Sequence, residues 1–241
     1  MGGAQLFDEV PGLLRGCWRR NWIRYADGTV DDTSTVVWLQ LESLMADLRV
    51  PADHAELADR GSLAGCSIDD LRRLATGESS SGLTLCSPVD VDDDGVRRAT
   101  AEWPDCESGI AFQPVGAYPE PGLLEWSADG SVMIERAPSG AYVERWQRMP
   151  GTEAPLARRI LDDGGELYLA GVCAVFVGDR PVPVPRQERL DVLVAEAGDD
   201  RATLEALVDC EFSLLQQRDG AYVVTASTHP WRIGEVIDVA V

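Results

Sequence analysis

Apolar and polar residues alternate at every second position through most of the chain. "CWRRNWIRY" (17–25), "STVVWLQL" (34–41) and "ADLRVP" (46–51) carry the pattern, with turn-forming residues such as "ADG" (26–28) between runs. A period of two is the signature of a β-strand with two unlike faces. In "VVWLQLESLMADLRVP" (36–51), Val36, Trp38 and Gln40 share one side of the first strand. Asp47 and Arg49 share one side of the next, and Leu48 and Val50 face the other way. A charged face of this kind is either solvated or the polar lining of a barrel interior.

The pattern breaks at "ADHAELADRG" (52–61) and "SIDDLRRLATG" (67–77). Ser67 stands three residues before Asp70, the spacing of a capping box, which predicts a short helix over 68–75. Strands resume at "GLTLCSPV" (82–89), "GVRRATAEW" (95–103) and "SGIAFQPV" (108–115), before a Pro-rich turn at 119–122. The clearest stretch is "GLLEWSADGSVMIERAPSGAYVERWQRM" (122–149), where "ADG" and "PSG" separate three strands of an antiparallel meander. Beyond Pro150, "GELYLAGVCAVFVGDRPVPV" (165–184) reads as one long buried strand ended by prolines. "RQERLDVLVAEAG" (186–198) and "DDRATLEALVDC" (199–210) have helical periodicity. "EFSLLQQRDGAYVVTAST" (211–228) is a hairpin around Arg-Asp-Gly, and "EVIDVAV" (235–241) a last strand.

About ten strands with few helices predict a mainly β fold, an antiparallel barrel with a few short helices, since closure removes exposed sheet edges. Pro150 to Pro155 is the best boundary. Residues 1–150 then form the barrel and 151–241 a β-rich C-terminal part that adds strands, packed on it or completing it as one composite domain.

Register decides what the meander does. Tyr142, Glu144, Trp146 and Arg148 share one face, opposite Val143, Arg145 and Gln147; Met133 and Glu135 likewise oppose Val132, Ile134 and Arg136. If Ile134 and Val143 face outward, Glu135, Tyr142, Glu144 and Trp146 point into the barrel. If they are core, both Glu residues decorate the surface, and a one-residue slip inverts the answer.

Charge narrows the partners. The 241 residues carry 41 acidic and 21 basic side chains, a net charge of −20. That excludes nucleic acid and anionic membrane, which need a positive surface. Every basic residue is Arg, the mark of a GC-rich, bacterial coding bias. No apolar run reaches membrane-spanning length, and no signal-peptide pattern opens the chain, so the expected location is cytoplasmic. The six cysteines (17, 66, 86, 106, 173 and 210) show no CxxC spacing and read as buried apolar residues, leaving no metal site. "DVDDDG" (90–95) opens like a calcium loop, but the twelfth position is Ala101 and Glu102 falls one late, so an Asp-Gly turn explains it. With only His54 and His229, and no nucleophile elbow, P-loop or dinucleotide fingerprint, no standard enzyme class is signalled and no cofactor is expected.

"GCWRRNWIR", "VVWLQLESLMADLRVP", "AEWPDCESGIAFQP", "GAYVERWQR" and "LVDCEFSLLQQRDGAYVVTASTHPWRIGE" occur in an order that resembles a lipocalin-like (calycin-type) family of largely uncharacterised fungal and bacterial proteins, among them a yeast casein-kinase-interacting protein. The resemblance spans nearly the whole chain and rests on loose motifs. It implies a β-barrel and no catalytic residues. It also favours an interior position for the charged face, because Asp47, Arg49, Glu144, Trp146, Trp231 and Arg232 lie in the best-matching parts.

Three functions follow as expectations. The first is a small-molecule-binding barrel walled by Trp18, Trp38, Tyr142 and Trp146, with Arg49 or Arg232 to orient an acidic or carbonyl group. The second is a cofactor-free isomerase or cyclase of secondary metabolism, in which Glu135 or Glu144 is the acid or base and Arg49 stabilises an enolate-like charge. The third is a scaffold whose acidic surface meets a protein partner. A homodimer is compatible with each.

Overall fold

The computed structural model describes residues 5–104, 109–116, 120–185 and 187–237. They form two antiparallel sheets. The first contains β1 (Gly16–Tyr25), β2 (Val30–Asp31), β3 (Thr35–Gln40), β4 (Leu44–Val50), β5 (Ser80–Leu83), β6 (Leu85–Cys86), β7 (Asp90–Val91), β8 (Arg97–Glu102), β9 (Gly122–Trp126), β10 (Val132–Arg136) and β11 (Tyr142–Arg148). The second contains β12 (Leu156–Ile160), β13 (Glu166–Ala170), β14 (Cys173–Gly178), β15 (Glu211–Arg218), β16 (Ala221–Ser227) and β17 (Val236–Ile237). Three α-helices accompany them: α1 (Ile68–Leu74), α2 (Leu190–Ala197) and α3 (Arg201–Val208). No described helix is long and apolar enough to cross a membrane.

The first sheet runs β5-β4-β3-β1-β11-β10-β9-β8-β6, with β2 on β1 and β7 on β8. Its two edge strands, β5 and β6, are consecutive in the chain, separated by Thr84 alone. A path of nine strands whose ends are covalent neighbours must curl on itself, giving a nearly closed barrel. Curling protects edges that a flat sheet would expose. Buried Thr84 ties the seam: its amide donates to Ser43 O and its hydroxyl to Gln40 Oε1.

Both faces of β3 and β4 are buried, for different reasons. Val36, Trp38 and Met45 point into the barrel with Trp18, Trp126, Met133 and Trp146. Val37, Leu39, Leu48 and Val50 point outward into a second core, where they meet Leu71 and Leu74 of α1, Leu190 of α2, Leu204 of α3, and Tyr168, Val175 and Phe212 of the second sheet. That shared core joins residues on either side of Pro150. The chain passes between the sheets from Arg148 to Leu156, and the crossing is pinned by Thr152. Its hydroxyl accepts the Cys17 amide (3.0 Å) and donates to Met149 O (2.7 Å).

Local chemistry explains the elements. Helix α1 starts where the capping box places it, with Ser67 accepting the Asp70 amide and Asp70 accepting the Ser67 amide in return. Asp200 caps α3 with its side chain alone, accepting the amides of Ala202 and Thr203. Asp92 accepts the amides of Asp94 and Val96 and pairs with Arg98, so "DVDDDG" is a turn between β7 and β8.

The structure departs from or adds to the pattern in four places. Residues 165–178 are two strands rather than one, because Gly171 turns the chain at φ +54. "LARRI" forms β12, although its polar residues hide the alternation. Among the described residues of 108–115, pairing is limited to a single bridge at Ala111, and Phe112 is instead buried as a plug. Ala52–Arg60 forms a 3-10 helix, and the last strand is described only through Ile237.

Candidate functional site

A charged cluster occupies the middle of the barrel. β4 supplies Asp47 and Arg49, β10 Glu135, β11 Tyr142 and Glu144, and β1 Arg20. Alternation carries each inward, with one irregularity. The β1–β11 register slips between Arg20 and Trp22, so Arg20 faces Trp146 while Ile23, not Trp22, faces Glu144. This bulge turns Trp22 and Arg24 to the outside, where Arg24 stacks over Trp22.

Glu144 is the hub. Its Oε1 accepts from Arg20 Nη1 (3.0 Å) and Arg49 Nη1 (3.3 Å), and the side chain is 1% exposed. Arg20 reaches on to Asp31 at 2.6 Å, and Arg49 Nε holds Asp47 Oδ2 at 2.6 Å. Arg49 itself stays 30% exposed, marking the end at which solvent reaches the cluster. Its guanidinium lies 5.9 Å from the Trp146 ring centroid.

Glu135 sits directly opposite Glu144 across the β10–β11 pair. Two carboxylates in that position repel. Burial first, and the Glu144 charge second, push the Glu135 carboxyl up to about 8, so it holds its proton at neutral pH. Tyr142 donates to Glu135 Oε1 (3.0 Å) and Trp146 Nε1 to Oε2 (3.2 Å). Gly122 makes room: a Cβ there would lie 2.8 Å from the Trp103 ring and 2.9 Å from Glu135 Oε1. Burial, followed by the Glu135 and Glu144 charges, raises the Tyr142 phenol. Burial also raises Asp47, against the pull of Arg49. For Arg49, desolvation is outweighed by Asp47 and Glu144, which hold the guanidinium charged.

An aromatic layer borders the cluster. Trp38 packs edge-on against Trp103 (5.4 Å) and Trp146 (5.9 Å) and donates to Gln40. Buried polar atoms are nearly always bonded, and each left unmet costs about 1–3 kcal/mol. Yet Asp47 Oδ1, Glu144 Oε2 and Trp126 Nε1, all in the barrel, have no partner. The other such atom among the described residues, His54 Nδ1, lies in the 52–60 turn.

The structure brings together Trp38, Asp47, Arg49, Glu135, Tyr142, Glu144 and Trp146. Of the remaining three, Trp18 joins them on the inner wall and Trp231 and Arg232 lie elsewhere. Trp18 lines the same barrel directly opposite Trp38 across the β1–β3 pair, with the Arg148 guanidinium 4.4 Å from its ring and its Nε1 bonded to Leu14 O. Trp231 and Arg232 are removed to a 3-10 turn beside the second sheet, where Trp231 stacks on His229 and Arg232 grips Glu211 and Glu235. They are not part of the cluster, because the turn opened by Pro230 packs on β16 and on the Ala52–Arg60 turn. The sequence pattern does not single out Arg20 or Asp31. Arg20 shares the parity of Trp18, which is its one signal, whereas Asp31 sits on a two-residue strand without one.

Five cysteines are buried and free; Cys106 lies outside the described residues. Among the described residues no group of His, Cys, Asp and Glu has the arrangement of a metal centre. No family model, curated protein or solved structure matches the chain. The site must be read from its own geometry.

Proposed function

We propose that the protein is a lipocalin-like barrel that binds a small organic molecule at the Arg49 end of its interior. The observation that carries this reading is the pair of unpartnered carboxylate oxygens, Asp47 Oδ1 and Glu144 Oε2, inside an otherwise bonded network. Buried ion pairs of this kind add little stability over apolar packing of equal volume. Leaving two of their acceptors unmet lowers stability further. A ligand that supplies donors recovers that loss, with Trp38 and Trp146 as its apolar wall. Indole N–H signals of the 15N-labelled protein provide the test. Titration with small aromatic fragments should move the Trp38, Trp126 and Trp146 signals to saturation. Shifts confined to Trp22 or Trp231 would overturn the reading.

A second reading rests on Glu135. A carboxylic acid that keeps its proton to about pH 8, bonded to Tyr142, is suited to general acid–base work, with Arg49 to stabilise a developing enolate. Under it, a fragment found to bind is chemically converted, and Glu135→Gln stops the conversion without weakening binding. Equal conversion by that variant would remove Glu135 from the chemistry.

A further inference from the structure

We propose, resting on the binding reading above, that the ligand is a small organic cation, a protonated amine on a compact apolar body. Three observations select a cation over an anion or a neutral carbonyl compound.

The first is charge. The connected network holds two guanidinium groups, Arg20 and Arg49, against three carboxylates, Asp31, Asp47 and Glu144. Glu135 is a fourth carboxyl facing Glu144, and as an acid it adds no positive charge. The network is one charge short of neutrality, its carboxylates being the buried Glu144 and Asp47 and the part-exposed Asp31. A monocation restores the balance, and an anion doubles the deficit.

The second is hydrogen-bond polarity. Both unmet atoms of the carboxylates are acceptors, and Glu144 Oε2 belongs to a side chain 1% exposed. Carboxylates and carbonyls have no donor to offer them, whereas an ammonium group has three. Charge-assisted bonds of this type are the stronger class. The two guanidinium groups do not favour an anion, because Arg20 is committed to Glu144 and Asp31, and Arg49 to Asp47 and Glu144.

The third is the wall and the field outside it. Trp38, Trp103 and Trp146 present indole rings beside the acidic groups, and indole faces attract cations. The net charge of −20 draws cations toward the molecule and repels anions at low salt.

The test compares three probes of one shape on the full-length protein: 2-phenylethylamine, 2-phenylethanol and 3-phenylpropanoate. Binding is followed through the indole N–H signals of Trp38 and Trp146. The amine should bind about ten-fold or more tighter than the alcohol, the worth of one charged hydrogen bond, and the acid should not saturate. Glu144→Gln and Asp47→Asn should each erase most of that preference. Because either variant can also loosen the network, the wild-type ranking decides. If the alcohol or the acid binds as tightly as the amine and still moves those indoles, the cation assignment falls while the pocket stands. Amine binding that leaves the indoles unmoved is surface ion exchange and overturns the proposal. If no probe moves them to saturation, the cation assignment and the pocket reading fall together.

Discussion

Glu135 shows how one side chain ties stability to pH. Its carboxyl is raised from the ordinary 4.5 to about 8, so between those values the folded protein holds a proton that the unfolded chain releases. Stability then falls as pH rises through that window and levels off above it. Each tenfold gain in proton affinity on folding is worth about 1.4 kcal/mol, so the loss amounts to a few kcal/mol. Glu135→Gln removes the titration. Urea unfolding at pH 5, 7 and 9 should give a slope for the wild type across this range that the variant lacks. Parallel curves would mean that another group titrates. Arg49 makes the complementary case: Arg49→Leu leaves Asp47 without its partner and deprives Glu144 of one of two, so a loss of about 3–5 kcal/mol is expected in the same assay.

At the level of elements, small residues decide where strands and side chains fit. Gly122 opens β9 and leaves the space that Glu135 and the Trp103 ring occupy. A methyl group there must displace one of them, so Gly122→Ala should lower stability by about 1–3 kcal/mol and shift the Trp103 signal. A melting temperature unchanged by this substitution would mean that the wall yields freely. Helix α1 makes a simpler case. Ser67→Ala removes the hydroxyl that accepts the Asp70 amide, and about 1 kcal/mol should be lost. Gly171 plays the corresponding part in the second sheet, where a Cβ would lie 1.9 Å from Gly151 O. That close approach holds the β13–β14 turn against the crossing segment.

At the scale of the whole molecule, the barrel wall and the second sheet share one apolar core. Val37, Leu39 and Leu48 of the barrel meet Tyr168, Val175 and Phe212 across it, and the thiols of Cys17 and Cys173 hydrogen-bond there. Cutting the chain at residue 150 would strip that face and expose a continuous apolar surface. A 1–150 fragment should therefore aggregate or remain unfolded. The full chain should melt in one calorimetric transition with equal calorimetric and van't Hoff enthalpies. Two resolved transitions would show that the halves fold independently.

Alternation in "VVWLQL", "ADLRV", "VMIER" and "AYVERWQR" determined that these segments are strands and which residues travel together on a face. Pairing the side chains of Asp47 with Arg49, and of Tyr142 with Glu144 and Trp146, needs only the two-residue period. Ser67 and Asp70 likewise set the start of α1, because a cap depends on neighbours three residues apart. The inward direction of the charged face was decided by the tertiary structure. Sequence parity is symmetric between the two faces, and only the curl that brings β5 beside β6, with a second sheet covering the outer wall, distinguishes them. Trp22 left the inner face through a bulge that no local rule predicts, and Trp231 and Arg232 lie outside the barrel because their turn packs on β16 and on the Ala52–Arg60 turn. The opposition of Glu135 and Glu144 also belongs to the folded state. The two stand apart in the chain, on either side of the "PSG" turn, but strand pairing sets them opposite one another, and burial together with the Glu144 charge raises the Glu135 carboxyl.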